Sequence, residues 1–274
     1  MLPGLDFLSF GALRGWRRER ILRRSSLDER LWRDTVRRLS FARHLPEQDL
    51  QRLRELVILF LHEKHFATAH GLELTARMQV WVAAQACILI LNLGLEYYRG
   101  WSGIILYPEQ FVPRHQHTDE LGIVHQGDEP YAGEAWLGGP VVLSWADAQG
   151  ADYADGVNVV IHEFAHKLDM LNGEANGFPP LQAGMSRQTW AQVFAVAYED
   201  FCARVDADED TLIDPYAGES PGEFFAVLSE AFFETPDVVR DEYPDVYAQL
   251  TQFYRQDPAQ RLPRHGRRRT MDRD

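Results

Sequence analysis

Residues 156–173 read GVNVVIHEFAHKLDMLNG, an apolar run interrupted by two histidines four positions apart and a glutamate beside the first. In an α-helix, positions i and i+4 lie one above the other on the same face. His162 and His166 would therefore present two imidazoles to one point, with Glu163 on the adjoining flank. Burying two imidazoles and a carboxylate in so apolar a segment is costly unless each finds a partner, and a divalent cation satisfies all three. The H-E-x-x-H spacing is the one at which two histidines bind zinc while the glutamate acts on water as a general base. Val159, Val160, Ile161, Phe164, Ala165 and Leu168 would bury the helix and dry its surroundings, which strengthens local electrostatics. Lys167 is an unusual charge directly after the second histidine and is expected to point away from the ligands.

A tetrahedral zinc needs a third protein ligand if water is to hold the fourth place. Asp169 continues the ligand face by one turn, but a short carboxylate on the same helix would struggle to close a tetrahedron. It reads better as an acceptor for a histidine N–H. The better candidates lie in DPYAGESPGEFFAVLSEAFFETP, residues 214–236, where Glu223, Glu230 and Glu234 follow Ser220-Pro221 near one helical face. Phe224, Phe225, Val227, Leu228, Phe232 and Phe233 make that helix too apolar for a surface decoration. Ser220-x-x-Glu223 also reads as a capping box, and spacing does not choose between Glu223 and Glu230.

Residues 27–45 and 46–66 read as two helices, the second opened by Pro46. Residues 75–93 begin with a plausible cap at Thr75 and are apolar nearly all round, as expected of a central buried helix. Near residue 100 the pattern changes. SGIILYP (102–108) and EAWLGGPVVLSW (134–145) are β-branched and aromatic runs bounded by Gly and Pro, hence strands. Residues 112–135 between them fit a hairpin or a long ordered loop. Helices return at 157–171, 187–204, 221–234 and 243–255. The fold class expected is α+β, mainly helical with a small mixed sheet beside the H-E-x-x-H helix. No clean linker divides the chain, so residues 1–258 read as one domain, with a helical N-terminal layer (27–95) and a catalytic part (100–258).

The totals narrow the partners. With 28 basic and 41 acidic side chains in 274 residues, the formal charge of −13 argues against direct nucleic-acid binding by the chain as a whole. Arginines crowd residues 14–24 and 261–274, so both ends read as solvated termini, with 259–274 a basic, disordered tail. Gly4 and Asp6 weaken the alternative of a membrane-surface helix at the N-terminus. Cys87 and Cys202 lack metal or redox spacing and read as buried thiols. The longest apolar run, 82–95, carries Gln85 and Asn92 and is too short to span a bilayer. The first residues place apolar side chains before the arginines, the reverse of a secretory signal. A cytoplasmic protein without stable membrane association is expected.

HEFAHKLD (162–169) followed by GEFFAVLSEAFF (222–233) resembles the bacterial Mlc titration factor A peptidases and, more distantly, the catalytic domain of anthrax lethal factor. The resemblance extends over nearly the whole chain, including GLELTARMQVWVAAQACILILNLGLEYY (71–98) and GEAWLGGPVVLSW (133–145). It implies a zincin-like metalloprotease fold and one Zn2+ per chain held by His162, His166 and Glu223, with Glu163 as general base toward an activated water. It also singles out Tyr216, seven residues before Glu223, as a hydrogen-bond donor to the developing oxyanion or the leaving amine. The activity implied is zinc-dependent peptide hydrolysis of aminopeptidase type. An extended peptide substrate would pair with residues 133–145 as an edge strand, with Trp136 or Trp145 walling a pocket. The family is named for sequestering a transcriptional repressor of glucose uptake, so a repressor protein is a second expected partner. The competing reading is a protein-binding module whose zinc is structural. Two other histidine clusters are set aside: HEKH (62–65) is one residue short, and His115, His117 and His125 with Asp119 and Glu120 read as a polar loop beside the cleft.

Overall fold

In the computed structural model, which describes residues 5–110, 116–118, 124–126, 132–150 and 155–263, four helices precede the first strand. Helix α1 spans Leu5–Arg24. The arginine-rich stretch from 14 to 24, expected as a solvated terminus, is helical. Ile21 is the reason, since it is buried where α1 packs against the fourth helix, and Arg18 pairs with Glu96. Residues 27–45, expected as one helix, form two: α2 (Glu29–Arg38), capped by Asp28, and α3 (Ser40–Arg43). Leu39 separates them by adopting an extended conformation that drops its side chain fully into the core.

Helix α4 (Glu47–Glu63) ends earlier than its apolar pattern suggests. The Lys64 ammonium donates to the carbonyls of Tyr98 and Trp101, and the chain turns into strand β1 (His65–Thr68). The HEKH pair is thereby divided, with His62 on a helix and His65 on a strand. Helix α5 (Ala76–Leu89) starts at the expected cap, where the Thr75 hydroxyl accepts from the Met78 N–H. It is buried almost throughout because α4 covers one side and the motif helix described below covers another.

Strand β2 (Gly103–Tyr107) lies parallel to β1, as the 102–108 pattern predicts. Two short strands, β3 (Gln116–Thr118) and β4 (Val124–Gln126), pair antiparallel, so this part of 112–135 is a hairpin. The single strand expected at 134–145 is instead a second hairpin. Strand β5 (Gly133–Ala135) turns through Trp136–Pro140 into β6 (Val141–Ser144), and Trp145 opens a short helix, α6 (Trp145–Ala148). Gly-Gly-Pro breaks the strand pattern because Pro has no N–H to donate to a ladder. The sheet order is β1-β2-β6-β5, parallel except for β5. Its central strand β6 is buried at every residue, as a parallel strand covered on both faces must be.

After the sheet come α7 (Val159–Asp169), α8 (Arg187–Asp206) and α9 (Pro221–Glu234). The helix expected at 243–255 is α11 (Pro244–Tyr254), and a further one, α10 (Pro236–Glu242), precedes it where the sequence pattern predicts none. Each opens with Pro at its first position, where the missing N–H is no loss. Trp190, stacked on Phe194 at 4.2 Å, joins Phe225 and Phe253 to lock α8, α9 and α11 together. The chain stays packed beyond residue 258, since the Ala259 N–H donates to the Tyr247 hydroxyl at 3.0 Å. Of the expected tail, 264–274 lies outside the described residues. Both cysteines are free, Cys87 buried as expected but Cys202 only half-buried. No described helix is long and apolar enough to cross a membrane.

Candidate metal centre

Asn158 starts the helix that carries the motif. Its side-chain oxygen accepts from the Ile161 N–H at 3.0 Å, satisfying one of the donors that a helix start leaves open. In the first turns of α7 the His162 and His166 rings sit with centroids 4.7 Å apart and Nε2 atoms 3.1 Å apart. Helix α9 packs against α7 and brings Glu223 across. Its Oε2 lies 2.9 Å from His162 Nε2 and 3.3 Å from His166 Nε2. Glu223 is held in the first turn of α9 by the Ser220 hydroxyl, which accepts from its N–H at 3.2 Å.

These three atoms form a nearly equilateral triangle. Ligands held about 2.05 Å from a tetrahedral zinc stand about 3.3 Å from one another. The observed edges of 2.9, 3.1 and 3.3 Å fit that figure. Without an ion the two imidazoles hydrogen-bond to the carboxylate, and a cation at their centre would instead take one lone pair from each of the three groups. Among the described residues, His162, His166 and Glu223 form the group of potential ligands that converges, with all ligand atoms within 4.8 Å.

Glu230 stands two turns further along α9 and meets the other nitrogen of the first histidine. His162 Nδ1 is 2.7 Å from Glu230 Oε1, leaving Nε2 directed to the triangle. An outer carboxylate of this kind fixes the tautomer and orientation of a ligating histidine. Sequence reasoning gave that role to Asp169, and the structure places Asp169 elsewhere. Asp169 Oδ2 accepts from the N–H groups of Asn176 and Gly177, both at 2.7 Å, and so anchors the loop after the helix. That loop lies against α9: Gly177 has a φ of +75°, and no side chain fits there, since an added Cβ would stand 2.4 Å from the Pro221 carbonyl oxygen.

Asn158 was not singled out from the sequence, although an Asn just before an apolar helix is an N-cap signal. Besides capping α7, its N–H donates to Glu230 and its amide donates to Glu234 Oε1 at 2.8 Å. The Ser40 hydroxyl donates to Glu234 Oε2 at 3.3 Å, which links the network to the N-terminal helices. Burial raises the Glu234 carboxyl to about 7, against the pull of those two bonds. The unfolded chain releases this proton near 4.5, whereas the folded chain keeps it until about 7. The stability linked to the group is therefore complete below the lower value and lost as pH rises through the higher one. Glu234→Gln is expected to gain on the wild type across that window, by up to about 3 kcal/mol. Thermal melts of both proteins across the window test this, and a constant difference in midpoint would refute it.

The electrostatics of the centre follow from crowding. Burial opposes protonation of His162, but Glu230 and Glu223 outweigh it and hold the imidazole pKa well above its ordinary value. Glu223 is pushed up by burial, yet the hydrogen bonds from His162 and His166 bring it down to about 2. Glu163 is raised to about 7 by burial, with the two histidines acting in the opposite sense. Its Oε2 is buried without a hydrogen-bond partner.

Strand β5 flanks Glu163. An added Cβ at Gly133 would stand 2.5 Å from Glu163 Oε1, so only glycine lets the strand lie so close. Ala132 O accepts from Ser144 N–H at 2.7 Å and Trp136 N–H donates to Pro140 O at 3.3 Å. The alternation of an antiparallel pair then turns the N–H and C=O groups of Gly133 and Ala135 away from β6. Tyr216, half-exposed, lies in the short helical turn Pro215–Gly218 with its ring 6.0 Å from that of His162. Trp136 is exposed at the end of β5. His117 and His125 are backbone partners in the β3–β4 register, while His115, Asp119 and Glu120 lie outside the described residues.

Comparison with known proteins gives a consistent result. The profile of the glucose-regulated metallo-peptidase M90 family matches residues 13–255. The chain is similar to Mlc titration factor A of Serratia proteamaculans (strain 568), with 37% identity over 236 residues, covering 85% of this chain and 89% of that protein. It is likewise similar to Mlc titration factor A of Yersinia pestis (strain Pestoides F), with 38% identity over 223 residues, covering 80% of this chain and 82% of that protein.

Proposed function

Because the chain belongs to the glucose-regulated metallo-peptidase M90 family, we propose that it hydrolyses peptide bonds at a zinc ion held by His162, His166 and Glu223. The observation that carries this reading is the zinc-sized triangle of ligand atoms with the buried, unpartnered Glu163 oxygen on the same helix. The chemistry that zinc supplies when bound is polarisation of a carbonyl and acidification of water near neutral pH. Glu163 takes the proton of the attacking water and delivers it to the leaving nitrogen, a role supported by its buried carboxylate on the same helix as the two histidines, with Oε2 unpartnered. Tyr216 donates its phenolic hydrogen to the oxyanion, a role supported by its place over His162. Glu230 holds His162 in the tautomer that ligates.

An extended peptide pairs with the edge of β5 turned away from β6, through Gly133 and Ala135, and Trp136 walls a side-chain pocket. We read the fold as zincin-like and residues 1–258 as one peptidase unit, supported by α5, which packs against both α4 and α7. The action proposed is of aminopeptidase type. The test is a panel of chromogenic aminoacyl anilides and internally quenched peptides, with and without chelator. Turnover should vanish with chelator and return with zinc. Zinc-loaded protein inactive on both panels would sink the reading.

The name of the relatives favours a second reading beside the first. They are called Mlc titration factor A, and on this reading the chain binds a transcriptional repressor, with zinc mainly structural. Repressor binding that survives Glu163→Gln supports separate functions, and binding lost with that substitution ties them together.

A further inference from the structure

Lys167 follows the second histidine of the motif, yet only 3% of it is exposed. Its ammonium donates to the carbonyl of Trp136 and, at 2.8 Å, to that of Gly139. These residues open and close the turn between β5 and β6, where Gly139 N–H donates to Trp136 O at 3.0 Å. The same ammonium stands 5.0 Å from the centre of the Trp101 ring, and the Lys64 ammonium stands 3.6 Å from that ring. Burying an ammonium group is expensive unless its donors are used. Here the donors are spent on main-chain carbonyls and an aromatic face, so the arrangement fastens backbone to helix.

What it fastens is informative. Glu163 and Lys167 are four residues apart and share one flank of α7. Both meet the same hairpin, Glu163 at Gly133 and Lys167 at the Trp136–Gly139 turn. We propose that Lys167 is a positioning residue, clamping the β5–β6 hairpin to α7 so that a peptide laid along β5 presents its carbonyl at a fixed distance from Glu163. The proposal rests on the peptidase reading and deepens it, because it makes extended peptides, and not single aminoacyl groups, the substrates that depend on the clamp.

The test uses the zinc-loaded full chain as wild type, Lys167→Met and Lys167→Gln, with Gln keeping two N–H donors. Zinc content should be unchanged, and amide hydrogen exchange across residues 133–139 should accelerate, more in Met than in Gln. The KM for an internally quenched peptide should rise about tenfold, as for one lost hydrogen bond to a charged group, while that for an aminoacyl anilide moves less than about twofold. If both substrates suffer alike, or zinc is lost, Lys167 supports the whole site and the clamp is wrong. Unchanged exchange at 133–139 also overturns it. Should wild type cleave neither substrate, the peptidase reading falls, and the exchange measurement alone still decides the clamp. If the Met variant does not fold, the Gln variant carries the same criteria.

Discussion

Glu163→Gln is expected to bind one zinc per chain and to hydrolyse peptides about 10³-fold more slowly than the wild type. The substitution keeps shape and leaves the three ligand side chains in place, so metal content reports that the centre is intact. What it removes is the ability to take a proton. Glu163 lies on the ligand helix, buried to 5% exposure, with Oε2 unpartnered. Gly133 gives it no room to swing away on the strand side. A loss in kcat with little change in KM is the signature of an interaction made only in the transition state. Metal analysis and steady-state kinetics on one preparation decide it. Turnover within about tenfold of wild type would be below the range for a general base and would remove Glu163 from that role.

The second large effect separates two glutamates on one helix. Glu223→Ala is expected to abolish stoichiometric zinc, because it deletes one corner of the triangle. Glu230→Ala is expected to keep the triangle and weaken zinc affinity by about 10- to 100-fold, the usual cost of losing an outer partner. Its carboxylate touches His162 Nδ1, not Nε2, so it orients the ligand without being one. Competition against a chelator of known affinity measures both. Zinc loss confined to the Glu230 variant would reverse the assignment.

Much of this was legible along the chain. The caps at Thr75 and Ser220, the 3.6-residue spacing of α7 and the largely apolar α5 and α9 are local signals, and those helices lie where the pattern puts them. The failures share a cause. Leu39, Lys64 and the Gly138-Gly139-Pro140 turn redirect the chain because a distant partner takes over: the core for Leu39, the Tyr98 and Trp101 carbonyls for Lys64, and β6 pairing with β5 for the turn. A helix period or strand alternation continues across such points until a tertiary contact interrupts it.

Spacing alone determined that His162 and His166 share a face, since periodicity fixes which side chains lie together on one element. It could not choose between Glu223 and Glu230, because residues seven apart on a helix occupy nearly the same face. Only the packing of α9 against α7 separates the two in space, setting the first turn of α9 against the Nε2 atoms and its third against Nδ1. The same packing gives Lys167 its hairpin and Gly133 its carboxylate. Local sequence specifies a face, and the angle and height at which two faces meet belong to the whole fold.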